Sequence, residues 1–368
     1  MEGAALLAKG GGESLGLNYP AIHGAKSMLN LSSQTRGLLL ASSLIGLLAS
    51  NASQAAKPDE CGAWVLLPDF RCDNREARPE GSFNPVGMPY LFEDPYITTG
   101  LNFAYIYHRL PDEAALGIAF DGGGVHVLAL QIRVAITEWL AFIATKDGLT
   151  ILRPGDDSVV DRDTGIMDMT IGFKAKLFET DDFILSPAIR YEIPMGSEKL
   201  FQGYGDGVFI PSASFRWGFL ENANLIGSLG GQVPVDSKRN VRSLFYNIHL
   251  DYGIPMSDSF VKYIVPFVEL NGLHYTKSGD GTNTIHTSLG NVTLNAAQSV
   301  LMSGPFEGVD VANLGSTGMA GKDVLVMGGG VRLPTTSGIS FALMYEGAVT
   351  ERKDIHHQRF TFMATWEM

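Results

Sequence analysis

Two cysteines, Cys61 and Cys72, are the whole thiol inventory of this chain of 368 residues. That excludes a cysteine-dense scaffold or a multi-cysteine metal ribbon. Charge is also scarce: Asp, Glu, Lys and Arg make up 18% of the residues, against about 25% in an ordinary soluble domain. The scarcer sign is positive, with 27 Lys and Arg against 39 Asp and Glu, a net charge of −12. Such a balance excludes nucleic acid as a partner. Past the N-terminal region no apolar run reaches the ~18 residues that a membrane helix needs, which excludes a polytopic helical protein. A β-barrel stays open, because strand alternation averages hydropathy toward zero.

What the chain has is glycine, 43 of them, and alternation. The clearest stretch is Met167–Ile193. Met167, Met169, Ile171, Phe173, Ala175 and Leu177 alternate with Asp168, Thr170, Gly172, Lys174 and Lys176. After Glu179-Thr180-Asp181-Asp182 the pattern resumes, with Phe183, Leu185, Pro187, Ile189 and Tyr191 against Ser186, Ala188, Arg190 and Glu192. Neighbouring strand side chains point to opposite faces, so this hairpin has one apolar and one polar face. A soluble sandwich would bury the apolar face; a transmembrane barrel would turn it to lipid and keep charge inside.

The N-terminus reads as an export address. Arg36 precedes the apolar run Gly37–Ala49, and small residues at Ser53 and Ala55 predict cleavage before Ala56. Met28 stands at the usual distance from such a run, so residues 1–27 read as lying upstream of the true start and 28–55 as the signal peptide. In an exported protein, Cys61 and Cys72 are expected to form a disulfide. Residues 56–97 carry Pro58, Pro68, Pro79, Pro85, Pro89 and Pro95. Proline cannot donate to a ladder, so this lead-in is not sheet. Two placements are open to it, a periplasmic tail, which is the blander reading, or a plug folded into the barrel mouth.

Residues 98–368 read as the barrel. Twelve strands are predicted, near 98–108, 124–135, 138–147, 166–178, 183–193, 207–219, 222–232, 241–252, 260–274, 322–333, 337–348 and 357–368. The connections between them alternate long and short. A membrane meander has brief periplasmic turns and longer external loops, whereas a sandwich does not sort its loops by parity. Trp139, Trp217 and Trp366, with Phe178, Phe183, Phe219, Tyr252 and Phe260, fall beside the short turns or at the C-terminus. That is where an interfacial aromatic girdle belongs. The last strand alternates Phe360, Phe362, Ala364, Trp366 and Met368 with Arg359, Thr361, Met363, Thr365 and Glu367. It resembles the terminal strand by which the barrel-assembly machinery recognises its clients. The fold class expected is therefore all-β, a closed antiparallel up-and-down transmembrane barrel of bacterial outer-membrane type, with outer-membrane lipid around it.

The hairpin from Gln131 to Gly148, with Thr137-Glu138 at the turn before Trp139, resembles the second hairpin of outer-membrane transporters associated with the meta-pathway of phenol degradation. The resemblance covers this hairpin and the overall layout. It implies a barrel of about twelve strands and uptake of a small molecule, apolar or aromatic. It carries over no solute-contacting residue.

If the apolar face meets lipid, the polar face assigns Gln131, Arg133, Asp168, Lys174, Lys176, Arg190, Glu192, Arg216, Asn247, His249, Asp251, Arg359 and Glu367 to the lumen. Both signs occur, which suits either interlocking ion pairs that close a small barrel or a polar track for a solute. The loop 275–321 is long enough to be functional, and Leu294–Met302 within it has helix-forming spacing.

Other constellations weigh less. His286-Thr287-Ser288 with Asn291 has the i, i+2 spacing of an outer-membrane phospholipase but not the surrounding motif, and the chain does not read as an enzyme. Asp156, Asp157, Asp161 and Asp163 read as a solvated acidic loop, and His356-His357 with Asp354 and Glu351 as a polar loop tip. Gly122–Gly124 and Gly328–Gly330 lack the context of phosphate loops and read as strand bends. No cofactor and no metal site are expected. The function expected is passive passage or uptake of a small solute, with a non-conducting structural or surface-binding barrel as the alternative.

Overall fold

The computed structural model describes residues 65–67, 78, 81–110, 112, 121–158, 160–279, 284–287, 290–293, 313, 318–351 and 357–367. Residues 1–64, in which the export address is expected, Cys61 and Cys72, Ser288 and Leu294–Met302 lie outside the described residues.

Twelve antiparallel strands close into a barrel. They are β1 (Gly100–Arg109), β2 (Gly123–Thr137), β3 (Leu140–Lys146 continuing as Gly148–Pro154), β4 (Asp163–Ile166 continuing as Met169–Ala175), β5 (Phe183–Ile193), β6 (Val208–Leu220), β7 (Ala223–Pro234), β8 (Arg242–Tyr252), β9 (Tyr263–Lys277), β10 (Lys322–Pro334), β11 (Ile339–Ala348) and β12 (Gln358–Glu367). Each pairs with the next, and β1 closes the ring on β12, from Gly100 opposite Glu367 to Arg109 opposite Gln358. Closure leaves no open edge, which a chain in lipid requires because nothing there can satisfy a free ladder. A small separate hairpin pairs Thr284–Thr287 with Gly290–Thr293.

Tight connections at 138–139, 180–182, 221–222 and 335–338 share one rim with the loop 256–262 and both barrel ends. The other rim carries 110–122, 155–162, 194–207, 235–241, 278–321 and 349–357. By that asymmetry the first rim is periplasmic and the protein is a bacterial outer-membrane barrel. The two-residue turn Glu221-Asn222 places Asn222 at φ 62, a left-handed conformation that asparagine tolerates better than most residues.

The wall follows the period-two rule most cleanly in β8. Leu244, Tyr246, Ile248, Leu250 and Tyr252 are exposed on the outside, while Ser243, Phe245, Asn247, His249 and Asp251 are buried inside. The exposed belt continues around the barrel through Phe103, Leu130, Ile189, Leu229, Val268, Leu343 and Phe360. Trp139, Trp217, Trp366, Phe178, Phe219, Tyr252 and Phe260 are exposed near the periplasmic rim, as an interfacial girdle should be.

Two irregularities shift the parity. In β3 the register slips between Ala144 and Lys146. Gly148 then takes φ +148, where a Cβ would stand 2.2 Å from the Leu128 carbonyl oxygen. In β4 the ladder breaks at residues 167 and 168, between its two runs. The sequence alternation places Met167 on the lipid face, but Met167 is buried, within the interior apolar cluster that includes Leu200 and Tyr204. The break resets the alternation by one residue, so the lipid-facing series of β4 begins at Met169.

Candidate functional site in the barrel interior

The interior is occupied by the chain itself. Every residue from 81 to 98, the stretch leading into β1, is buried. The segment 81–98 lies against the inner wall. Pro85, Pro89 and Pro95 keep it out of any ladder, so its carbonyl groups need partners from the wall. They find them around the circumference. Asn224 of β7 donates to the Gly81 carbonyl at 2.7 Å, and Arg332 of β10 to that of Asn84 at 2.9 Å. Gln131 of β2 donates to Pro89 O at 2.7 Å. Arg190 of β5 reaches Tyr90 O at 2.7 Å and Leu91 O at 3.1 Å. Ser186 of β5 donates to Pro95 O. In the other direction, the Val86 and Gly87 N–H groups donate to the two carboxylate oxygens of Glu269 on β9, each at 2.7 Å.

At the periplasmic end these bonds become ion pairs. Glu93 accepts Arg133 Nε and Nη2 at 2.7 Å each, a bidentate fork, and Lys174 Nζ at 2.9 Å. Asp94 lies 3.4 Å from Lys174 Nζ and accepts Arg78 Nη2 at 3.1 Å and the Tyr96 N–H at 2.8 Å. Arg78 also donates through Nε to Glu367 at 2.9 Å and lies over the Tyr96 ring. It thereby ties the lead-in to the last strand. Burial alone would push the Glu93 carboxyl up, but Arg133 and Lys174 outweigh it and hold it below its ordinary value. Asp94 behaves alike: burial opposes ionisation, while Lys174, Arg78 and Arg133 hold the carboxyl well below the usual range.

The residues assigned to the lumen from sequence distribute as follows. Gln131, Arg133, Lys174 and Arg190 are buried against the interior segment. His249 is buried between two carboxylates, Nδ1 at 2.7 Å from Glu269 and Nε2 at 3.0 Å from Asp251. Asp251 also accepts Asn224 Nδ2 at 2.7 Å, and Arg216 Nε donates to Asn224 Oδ1 at 2.8 Å. Asp168, at the break in β4, accepts the N–H groups of Gly196 and Gly203 at 2.9 and 2.8 Å, and so anchors the external loop 194–207. Glu192 accepts Lys146 Nζ at 2.9 Å. Arg359 pairs with Glu346 across β12 and β11. Glu367 accepts Arg78, and Asn247 is buried in the wall of β8. Lys176 is half-buried at the periplasmic end of β4, paired with Glu179 of the turn at the rim.

Sequence reasoning passed over Lys146, Glu269, Asn271, Arg332 and Glu346, all buried in the interior. The parity of β9 carried the signal for two of them, since Phe267, Glu269, Asn271 and Leu273 alternate. Arg332 and Glu346 were accessible by the same rule in β10 and β11. Lys146 was not, because the slip beside it moves the side chain to the opposite face.

Above the ion-paired floor lies an apolar cluster, with the Arg359–Glu346 and Lys146–Glu192 pairs also toward the external end. Ile106, Val125, Val127, Leu152, Ile210, Phe245, Leu273 and Val326 are buried in one cluster with Leu200, Phe201, Tyr204 and Met319 of the external loops. The loop 275–321 also reaches this roof at Asn313. Asn313 N–H donates to Phe201 O at 2.8 Å, and Asn313 Nδ2 to Asn240 Oδ1 at 2.9 Å. Asn240 Nδ2 in turn donates to Tyr204 O at 3.0 Å. The acidic loop holds its own charges, with Asp156 on Arg162 and the Asp157 N–H donating to Asp121 at 3.1 Å.

These features define an outer-membrane β-barrel with an internally bound N-terminal segment. No family model matches the sequence, and no curated protein matches it. Among solved structures, the chain is similar to an outer membrane channel from Pseudomonas putida F1, at 12% identity and a TM-score of 0.50, covering 78% of this chain and 100% of that one. It also aligns with the NanC porin (5% identity, TM-score 0.40, 72% of this chain and 97% of that one). A further alignment is with the Pseudomonas putida toluene transporter TodX (9% identity, TM-score 0.33, 78% and 95%). At these identities the likeness speaks to the fold alone.

Proposed function

We propose that this barrel admits a small molecule across the outer membrane when residues 81–98 shift within it. The observation carrying the reading is how that segment is fixed: by hydrogen bonds and ion pairs to side chains of the wall, from Asn224 and Arg332 to Arg133 and Lys174. A stopper held this way can move without breaking a covalent bond or a barrel ladder. The solute would be apolar or aromatic, in keeping with the resemblance to transporters associated with phenol degradation. The apolar cluster in the external half of the interior supports this. On the same reading residues 28–55 direct export, the exposed belt takes lipid, and the strand Gln358–Glu367 is what the barrel-assembly machinery engages.

A second reading, a barrel that never conducts, is favoured by one observation. Lys174, Arg190, Arg332 and Arg359 are almost wholly buried in the interior, so long charged side chains crowd the lumen around the segment. Planar-bilayer recording of the refolded full chain separates the two. Discrete conductance steps from heat-modifiable, folded protein support passage, and their complete absence across applied voltages would leave the structural role.

A further inference from the structure

A row of small neutral polar side chains runs around the inner wall. Ser186 of β5 faces Ser214 of β6, Ser214 faces Ser228 of β7, Ser228 faces Asn247 of β8, and Asn247 faces Asn271 of β9. Strands in a barrel tilt, so such a row climbs the wall. It starts near the periplasmic end of β5 and ends past the middle of β9. Ser186 and Ser214 have partners, the Pro95 and Ser186 carbonyl groups. The upper part differs. Among the described residues, Ser228 Oγ and both side-chain polar atoms of Asn247 and of Asn271 find no hydrogen-bonding partner, although Asn247 is 1% exposed and Asn271 0%.

Buried amides are nearly always paired, because an unpaired one loses its bonds to water and regains nothing. Two adjacent asparagines without a single side-chain bond therefore call for a partner from outside the wall. The rungs on either side define the chemistry of that partner. On the external side Phe245 stands opposite Gly230 and Leu273, an apolar rung. On the periplasmic side His249 stands opposite Ile226 and Glu269, and His249 Nδ1 and the Glu269 carboxylate already meet each other. The interior segment passes close by, since a Cβ on Gly87 would lie 2.7 Å from Asn271 Nδ2.

We propose that Ser228, Asn247 and Asn271 form a contact site for the neutral, hydroxyl-bearing head of a solute whose apolar body rests against Phe245 and Leu273. The assignment rests on the passage reading and names the chemistry that passage selects. Each asparagine offers one donor and one acceptor side, and so does a hydroxyl. A carboxylate head would leave both amide oxygens unmatched and would stand one rung from Glu269. An ammonium head would strand both amide nitrogens.

The test uses the full chain in proteoliposomes and three probes: phenyl β-glucopyranoside, phenyl β-glucuronide and methyl β-glucopyranoside. The wild type is expected to admit the phenyl glucoside fastest of the three. Asn247→Leu with Asn271→Leu should slow its entry about tenfold, the worth of one lost hydrogen bond, and leave the glucuronide rate unchanged. Ser228→Ala, a smaller change that keeps the fold, should slow the phenyl glucoside by about threefold and leave the glucuronide rate unchanged. The inference is overturned if both variants admit the glucoside at the wild-type rate, or if all three probes slow together. A folded wild type that admits none of the three probes overturns the passage reading itself, and the site with it.

Discussion

Glu93 accepts both Nε and Nη2 of Arg133 at 2.7 Å, across forty positions of sequence. With Lys174 on the same carboxylate, this pairing joins the interior segment to β2 and β4 at once. A buried pair is weak support for overall stability, because desolvation offsets much of its attraction, yet breaking one partner out of it is costly.

Replacing Glu93 should therefore loosen the segment more than the barrel. Glu93→Gln leaves Arg133 buried without its countercharge and Lys174 with Asp94 alone, a cost of about 3–5 kcal/mol borne by the plugged state. The expected outcome is larger or more frequent conductance steps in planar bilayers, with unchanged heat-modifiable migration. A variant that loses the folded band instead would show that the segment is needed to build the barrel.

The same carboxylates set a pH dependence. Glu93 and Asp94 are both held below their ordinary values, which lie near 4.3 and 3.9 (roughly, for exposed groups). Groups depressed in the folded state contribute stability that is fully present above those ordinary values. It is lost as pH falls through the lowered ones. Conductance should be flat from pH 8 to about 5 and rise only below about 4. In Glu93→Gln the acid response should shrink to the part owed to Asp94. A rise beginning near neutrality would point to a different latch.

Much of this arrangement was legible beforehand, and the reasons for the rest are physical. Asn247, His249 and Asp251 are inside because a strand sorts its side chains by parity, and parity is visible in sequence. Met167 and Lys146 went the other way because a broken ladder in β4 and a slip in β3 each shift the parity by one residue. Neither defect has a marker stronger than a nearby glycine, such as Gly148. The interior placement of residues 81–98 was open for another reason. A proline-rich segment has no periodicity, and what fixes it is pairing over long separations, such as Val86 and Gly87 with Glu269. Glu93 and Asp94 give no sign in sequence of which lysine or arginine they will meet.

Gly87 tests the seat of the segment at its middle. A Cβ there would stand 2.4 Å from one Glu269 oxygen and 2.7 Å from Asn271 Nδ2. Gly87→Ala must therefore push the backbone away from the two N–H bonds that Glu269 accepts, at about 1–3 kcal/mol for overpacking. Faster amide exchange at Val86 and Gly87, measured by mass spectrometry, is the expected result, with exchange in β8 and β9 unchanged. Wild-type exchange in Gly87→Ala would mean that the segment is not closely seated on Glu269.

The outer belt makes the remaining prediction, and it separates lipid contact from mere exposure. Leu343 on β11 is 59% exposed, Leu220 at the periplasmic end of β6 is 66% exposed, and both project from the wall. In water, arginine at either position would matter little. In a bilayer the cost depends on depth, about 2–4 kcal/mol at the midplane and 0–1 kcal/mol near the interface. Leu343 lies mid-strand, five residues from the end of β11 at Ala348, and Leu220 sits at a strand terminus beside the turn. Leu343→Arg should thus lower the unfolding midpoint in lipid vesicles by several times the shift of Leu220→Arg, while the two behave alike in detergent at high denaturant. Equal shifts in vesicles would mean that these side chains do not sit at different depths in lipid, and the assignment of the short-turn rim to the membrane boundary would have to be redrawn.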